Sequence, residues 1–202
     1  MIKIVMATNN NGKIKELKSM LSDNFWVMSQ REAGIKDLNV DENGMTCEEN
    51  AIIKANSIKD IIRNSAYIIA EDSGICIDCL NGYPCVKTKR AALEELNLQA
   101  TDYERNEFYI NKVANNNNRK IVWQTVIALI DLEGKIKTFT GEVEGVVAKE
   151  QAGDNGFGFD AMFFIPQEKK TLAQLTDKEK ERYSARKRAV EKLVKYLEEN
   201  NL

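Results

Sequence analysis

Along the chain, short apolar runs alternate with stretches in which apolar positions recur every three or four residues. Residues 2–7 read as a first strand, and residues 12–21 as a helix with Ile14, Leu17 and Leu21 on one stripe. Thr46-x-x-Glu49 has the spacing of a capping box, and Ala51, Ile52, Ala55, Ile58 and Ile62 continue it as one amphipathic helix. Residues 67–70 form a short apolar strand that runs out into Glu71-Asp72-Ser73-Gly74. Residues 91–96 and 102–114 predict helices. Residues 121–132 and 135–141 predict two strands about a Glu133-Gly134 turn, with 143–148 a third strand and 161–165 a fourth. From Thr176 the chain is helical, with a break near Ser184, and its last part puts Val190, Leu193, Val194 and Leu197 on one face. A βα start followed by hairpin-like strands predicts the α/β class with a mixed sheet. No linker or internal repeat interrupts the pattern, so residues 1–202 are expected to form a single domain.

Composition narrows the chemistry. The 29 Lys+Arg against 31 Asp+Glu leave a net charge of -2, which disfavours a role in coating nucleic acid. Mean hydropathy is -0.42, and no apolar run approaches the roughly 20 residues that span a bilayer, so no membrane partner is expected. The first residues lack the apolar core and cleavage site of a signal peptide. The four cysteines have no secretory context and read as reduced thiols of a cytoplasmic protein. Cys76 and Cys79 form a C-x-x-C with no second pair at comparable spacing, so packing is preferred to a zinc site. The chain contains no histidine. Catalysis through Ser-His-Asp, Cys-His or a histidine base is therefore excluded, leaving carboxylates, Lys, Arg, Ser/Thr, Cys or a hard metal.

Five stretches carry candidate chemistry. Thr8, Asn9, Asn10, Asn11, Gly12 and Lys13 join the first strand to the first helix. Unpaired N–H groups, the helix dipole and a lysine make that turn a phosphate cradle; the alternative is an Asn-rich turn that only caps the helix. It is not a Walker A loop, which needs an earlier glycine and a following Ser/Thr. Glu71 and Asp72 pair two acids at a strand end, which suits Mg²⁺ and a water-activating carboxylate, or else a solvated loop. Glu48-Glu49-Asn50-Ala51 opens a helix with Lys54 following. Acids in a first turn are expected from the dipole alone, so a functional role there needs a metal nearby. Phe157, Gly158, Phe159 and Asp160 follow Gly156 in a tight backbone where an aromatic can stack on a base; a plain glycine turn is the other reading. Lys180, Arg182, Ser184, Arg186, Lys187 and Arg188 form a basic run, either a solvated helix face or a source of donors to phosphate and base carbonyls.

In this order and spacing the stretches resemble the inosine triphosphate pyrophosphatase family, the pyrophosphatases of non-standard purine nucleoside triphosphates. T-x-N-x-G-K stands at residues 8–13, E-E-N-A-x-x-K-A at 48–55, A-[DE]-D-S-G at 70–74, L-x-G-x-P at 80–84, G-F-G-[YF]-D at 156–160, and the late S-H-R as Ser184-Ala185-Arg186. The resemblance implies a two-lobed α/β fold with an elongated mixed central sheet flanked by helices and a cleft between lobes, usually a homodimer. It implies Mg²⁺-dependent hydrolysis of ITP, dITP or XTP to the monophosphate and pyrophosphate. On that reading Thr8, Asn9, Asn10, Asn11, Gly12 and Lys13 hold the triphosphate and Lys54 meets phosphate. Asp72 is the general base and a metal carboxylate, with Glu71, Glu42 and Glu49 the other acids near the metal. Ser73, Phe157, Gly158, Phe159, Asp160, Lys180, Ala185 and Arg186 line the nucleotide site.

The chain departs from the family pattern in three places. Ala185 stands where the family has His, Pro84-Cys85-Val86-Lys87-Thr88-Lys89-Arg90 replaces P-G-V-Y-S-A-R, and Asp160-Ala161 replaces D-P. These departures keep two other readings open. One is a nucleotide sensor that holds (d)ITP without hydrolysing it and signals to an effector protein, for instance in defence. The other is a hydrolase redirected to a pyrimidine or methylated nucleotide.

Overall fold

In the computed structural model, residues 1–36, 38, 40–88, 90–96 and 100–200 are described. Lys89, within the altered stretch after Pro84, lies outside them. Eight strands make one mixed sheet in the order β2-β1-β3-β5-β6-β7-β8, with β4 paired to β3. The strands are β1 Ile2–Met6, β2 Phe25–Ser29, β3 Tyr67–Ile77, β4 Pro84–Cys85, β5 Lys120–Ile130, β6 Ile136–Val147, β7 Phe163–Ile165 and β8 Lys170–Thr171. The helices are α1 Asn11–Met20, α2 Cys47–Asn56, α3 Lys59–Ile62, α4 Ala91–Leu96, α5 Asp102–Lys112, α6 Asp177–Lys180 and α7 Ala185–Glu199. β1 runs parallel to both β2 and β3, whereas β3–β4, β6–β7 and β7–β8 are antiparallel. The expected α/β class with a mixed sheet is what the chain adopts. No described helix is long and apolar enough to cross a membrane.

The chain divides into two compact units, the first comprising residues 1–72, 125–141 and 186–202 and the second residues 73–124 and 142–185. In the first, Ile14 and Leu17 of α1 and Val190, Leu193 and Leu197 of α7 are buried with Ile4, Met6, Ile69 and Leu129 of the sheet. These are the stripes that the helical periodicity predicted. Each such Leu or Ile contributes about 1.5–3 kcal/mol when fully buried. The second unit gathers Ile75, Ile77, Tyr109, Ile110, Val113, Phe163 and Leu172 into its own cluster.

Four expectations need correction. The strand placed at 67–70 runs on through Glu71-Asp72-Ser73-Gly74 to Ile77. Those acids are therefore mid-strand rather than beyond a strand end. The strand can continue because Gly74 lets β4 come close: a Cβ at Gly74 would collide with the Cys85 carbonyl. Thr88 Oγ1 then accepts from Ile75 N–H at 2.8 Å. The strands expected at 135–141 and 143–148 are one strand, β6. The helix expected to run from 47 to 62 breaks into α2 and α3, where the Ser57 hydroxyl donates to the Lys54 carbonyl at 2.7 Å and Ile58 leaves helical geometry. The strand expected at 161–165 begins only at Phe163, because Met162 and Phe163 donate their N–H groups to the Phe159 carbonyl in a turn.

Candidate active site

In the first unit the chain leaves β1 through Thr8, whose carbonyl accepts from Gln30 N–H at 3.2 Å. Thr8 Oγ1 accepts from Asn10 N–H at 3.2 Å. Asn10 Oδ1 accepts from Gly12 N–H at 3.0 Å and Lys13 N–H at 3.3 Å, making Asn10 the N-cap of α1. Capping is thus real, and it takes two of the backbone donors that the cradle reading offered to an anion. Asn9 Oδ1 accepts from Arg31 N–H at 2.9 Å, which ties the turn to the segment after β2. Asn11 and Gly12 are exposed in the first turn of the helix.

Lys13 projects from that turn to Glu71 on β3, with Nζ 2.8 Å from Oε1. Arg186, at the start of α7, reaches the same carboxylate: Nε lies 3.0 and 3.1 Å from its two oxygens. The Glu71 side chain is only 4% exposed. Burial pushes its carboxyl up, but Lys13 and Arg186 outweigh that and hold it below the usual range. Glu71 is therefore an ionised carboxylate gripped by two cations.

Asp72, the next residue of β3, meets Lys54 of α2, with Nζ 2.6 Å from Oδ1. Lys54 also lies 3.2 Å from Glu42 Oε2. Asp72 Oδ2 is buried with no hydrogen-bond partner. A buried carboxylate oxygen left without a donor is costly, and it marks a position open to a proton, a water or a cation. Of the two acids offered by the 42–49 segment, Glu42 joins this cluster. Glu49 gives Oε2 to the N–H groups of Met45 and Thr46, at 2.6 and 3.2 Å, in the capping box of α2.

A polar cavity of about 420 Å³ in the first unit has Thr8, Asn9, Lys13, Glu42, Lys54 and Glu71 on its wall. Gln30, which the sequence reading passed over, also lines it and is buried, with Nε2 donating to the Lys36 carbonyl at 2.9 Å. Among the described residues no cluster of three or more Asp, Glu, Cys or His side chains could enclose a metal. The oxygen donors present are of the kind a hard cation that retains water takes, and among these carboxylates Asp72 Oδ2 is the one buried without a partner.

The remaining candidates, Arg186 apart, lie in the second unit. Ser73 is half-buried on β3. Phe157 is 84% exposed. Phe159 is turned inward, edge-on to Trp123 with ring centres 5.4 Å apart. Asp160 pairs with Lys180 at 2.9 Å, and Lys180 also donates to the Asn155 carbonyl. Gly156 has φ +124°, and a Cβ there would strike both Asp160 Oδ2 and Lys180 Nζ. Ala185 is wholly buried in the apolar cluster. A second cavity, also about 420 Å³, is walled by Phe157, Phe159, Tyr109, Arg105 and Asn106, among others. The Tyr109 hydroxyl is buried without a partner.

Residues 4–196 match the model of the Ham1 family. The chain is 38% identical over 200 residues to a dITP/XTP pyrophosphatase of Clostridium perfringens, covering 96% of each. It is 36% identical over 198 residues to one of Staphylococcus aureus, covering 98% of this chain and 97% of the relative. Among solved structures, the Staphylococcus aureus Ham1 protein superposes with a TM-score of 0.87 at 33% identity, over 98% of this chain and 99% of that one. A HAM1 protein from Coxiella burnetii gives 0.86 at 34% identity, over 98% and 100% of the two chains.

Proposed function

The chain belongs to the Ham1 family, and from that premise we propose that it is a pyrophosphatase of non-standard purine nucleoside triphosphates. It takes dITP, ITP or XTP to the monophosphate and pyrophosphate. The observation that carries the reading is the pair of ion clusters in the first unit, Lys13–Glu71–Arg186 and Lys54–Asp72–Glu42, of which Lys13, Glu71, Lys54 and Glu42 border one polar cavity. Attack at the α-phosphorus develops negative charge on the transferring and leaving oxygens. Lys13 and Lys54 meet that charge at short range, and most of the catalysis in such a reaction is positioning and electrostatics. Asp72 is the base: Oδ1 is held by Lys54, so Oδ2 takes the proton from the attacking water.

Of the acids expected at Mg²⁺, Asp72 would hold it through the unpartnered Oδ2, while Glu71 is engaged by Lys13 and Arg186 and Glu42 by Lys54. When bound, the metal neutralises phosphate charge and acidifies water, which suits a chain with no histidine base. For the base we assign Phe157, Gly158, Phe159, Asp160 and Lys180, with Phe157 offering an exposed face for stacking. A donor to the 6-keto oxygen discriminates against ATP, whose amino group cannot accept that bond. Ala185, buried at the start of α7, offers only a methyl group where the resemblance expects an imidazole. The enzyme is further proposed to be a cytoplasmic homodimer that acts on free nucleotide.

The relatives named above carry pyrophosphatase names, and nothing in the site favours a non-hydrolysing sensor. A nucleotide panel with product identification, with and without Mg²⁺, tests the proposal. Pyrophosphate should appear from dITP and XTP much faster than from dATP, and only with the metal. Intact dITP recovered from a tight complex, or faster cleavage of dATP, overturns it.

A further inference from the structure

The loop that presents Phe157 is held by a helix that none of the sequence motifs includes. Both backbone polar groups of Gly158 are taken by side chains of α5. The Gly158 N–H donates to Asp102 Oδ2 at 2.6 Å, and the Gly158 carbonyl accepts from Asn106 Nδ2 at 3.0 Å. Each of these side chains is itself fixed. The other oxygen of Asp102 is paired with the Arg105 guanidinium, which also donates to the Ala100 carbonyl. Asn106 is 3% exposed and places its second amide contact on Gln151 Oε1 at 3.1 Å. Gln151 in turn donates to Glu107 Oε1 at 2.8 Å and the Tyr103 carbonyl at 3.0 Å. α5 starts from its own capping box at Thr101, so the clamp sits on a defined helix end.

Loop backbone at a surface is ordinarily solvated and mobile. A ring that recognises a base by stacking needs the opposite, since interactions are productive only when held within a fraction of an ångström. Gly158 has φ +64° and sits between the inward Phe159 and the outward Phe157, so fixing it fixes how Phe157 leaves the loop. A buried primary amide that leaves its hydrogens unsatisfied is costly. Asn106 therefore has one low-energy orientation, the one that holds the Gly158 carbonyl.

We infer that Asp102 and Asn106 are positioning residues that set affinity for the base by holding Gly158, and with it the Phe157 ring, in the orientation that receives a purine. The inference rests on the proposed base-recognition role of Phe157. It makes the clamp specific to the base: the triphosphate end, which belongs to Lys13 and Lys54, should not depend on it.

The test compares wild type with Asp102→Ala, Asn106→Leu and the conservative Asp102→Asn, which keeps an acceptor for the Gly158 N–H. Three quantities are read: kcat for dITP, KM for dITP, and the inhibition constant of inorganic triphosphate, which has no base. KM for dITP should rise at least tenfold in Asp102→Ala and Asn106→Leu. Triphosphate inhibition should stay within about twofold, and Asp102→Asn should recover most of the wild-type KM. A merely structural role lowers kcat with the folded fraction and leaves KM and the inhibition constant unchanged; that result overturns the inference. If Asn106→Leu does not fold, Asn106→Ser removes the same donor and carries the same expectation. Wild type that prefers dITP while both truncations keep its KM refutes the clamp alone. Wild type with no preference for dITP refutes the clamp and the proposed function together.

Discussion

Lys54 Nζ lies 2.6 Å from Asp72 Oδ1, while the second oxygen of Asp72 is buried with no partner. One oxygen is thus held by a cation and the other is available for chemistry. Replacing Asp72 with Asn keeps the volume but removes the basic oxygen. The D72N variant should lose at least a hundredfold in kcat on dITP, the scale of a lost general base. Circular dichroism should be unchanged and triphosphate affinity should alter only a few-fold. Turnover within twofold of wild type would remove Asp72 from the mechanism.

Glu71 gives a pH signature. Its folded pKa lies below the ordinary 4.5, because the two cations outweigh the cost of burial. The stability it contributes is therefore fully present above the ordinary carboxylate value and is lost as pH falls through the lowered folded value. Glu71→Gln leaves Lys13 and Arg186 facing a neutral amide. It should destabilise the protein by about 2–3 kcal/mol at neutral pH, at the lower end for a broken buried pair because the cations are partly exposed. Urea unfolding from pH 7 to 3 should show the gap between variant and wild type steady at first, then closing below about pH 4.5. A gap independent of pH would contradict this account of Glu71.

Gly156 should tolerate no side chain. Its φ of +124° strains any L-residue, and an added methyl group displaces the Asp160–Lys180 pair. Gly156→Ala is expected to cost about 1–3 kcal/mol in stability and to raise KM for dITP. Thermal melts and steady-state kinetics check both. Unchanged values would mean that the loop rearranges freely and that the ion pair is not needed.

The Tyr109 hydroxyl is buried without a partner on a residue 2% exposed. An unpaired buried hydroxyl is a liability, so Tyr109→Phe should leave stability unchanged or raise it by about 1 kcal/mol. A loss of more than 1 kcal/mol on urea unfolding would show that an ordered water satisfies the hydroxyl.

Much of this was legible in the sequence, for identifiable reasons. The stripes Ile14–Leu17 and Val190–Leu193–Leu197 are buried where helical spacing put them, because one apolar face per helix suffices to fix the face. The capping box at Thr46 is present as spaced. The Glu71-Asp72-Ser73-Gly74 stretch reads as lying beyond a strand end, since nothing local reveals that Lys13, Lys54 and Arg186, distant in sequence, make acids tolerable in the middle of a buried strand. β2 was missed because Trp26 faces solvent and its apolar pattern is short; all five of its residues are in register with β1, a relation only tertiary structure supplies. Asp102 and Asn106 gave no signal, because a clamp on a glycine's backbone selects no partner side chain that a motif could show.

The central claim is that the chain holds a nucleoside triphosphate so that water, deprotonated by Asp72, attacks the α-phosphorus. Turnover of dITP in heavy-oxygen water, with the products separated and weighed by mass spectrometry, addresses it most directly. The account predicts one heavy oxygen in dIMP and none in pyrophosphate. Label in pyrophosphate, or release of orthophosphate with dIDP, would place the attack at another phosphorus and contradict it.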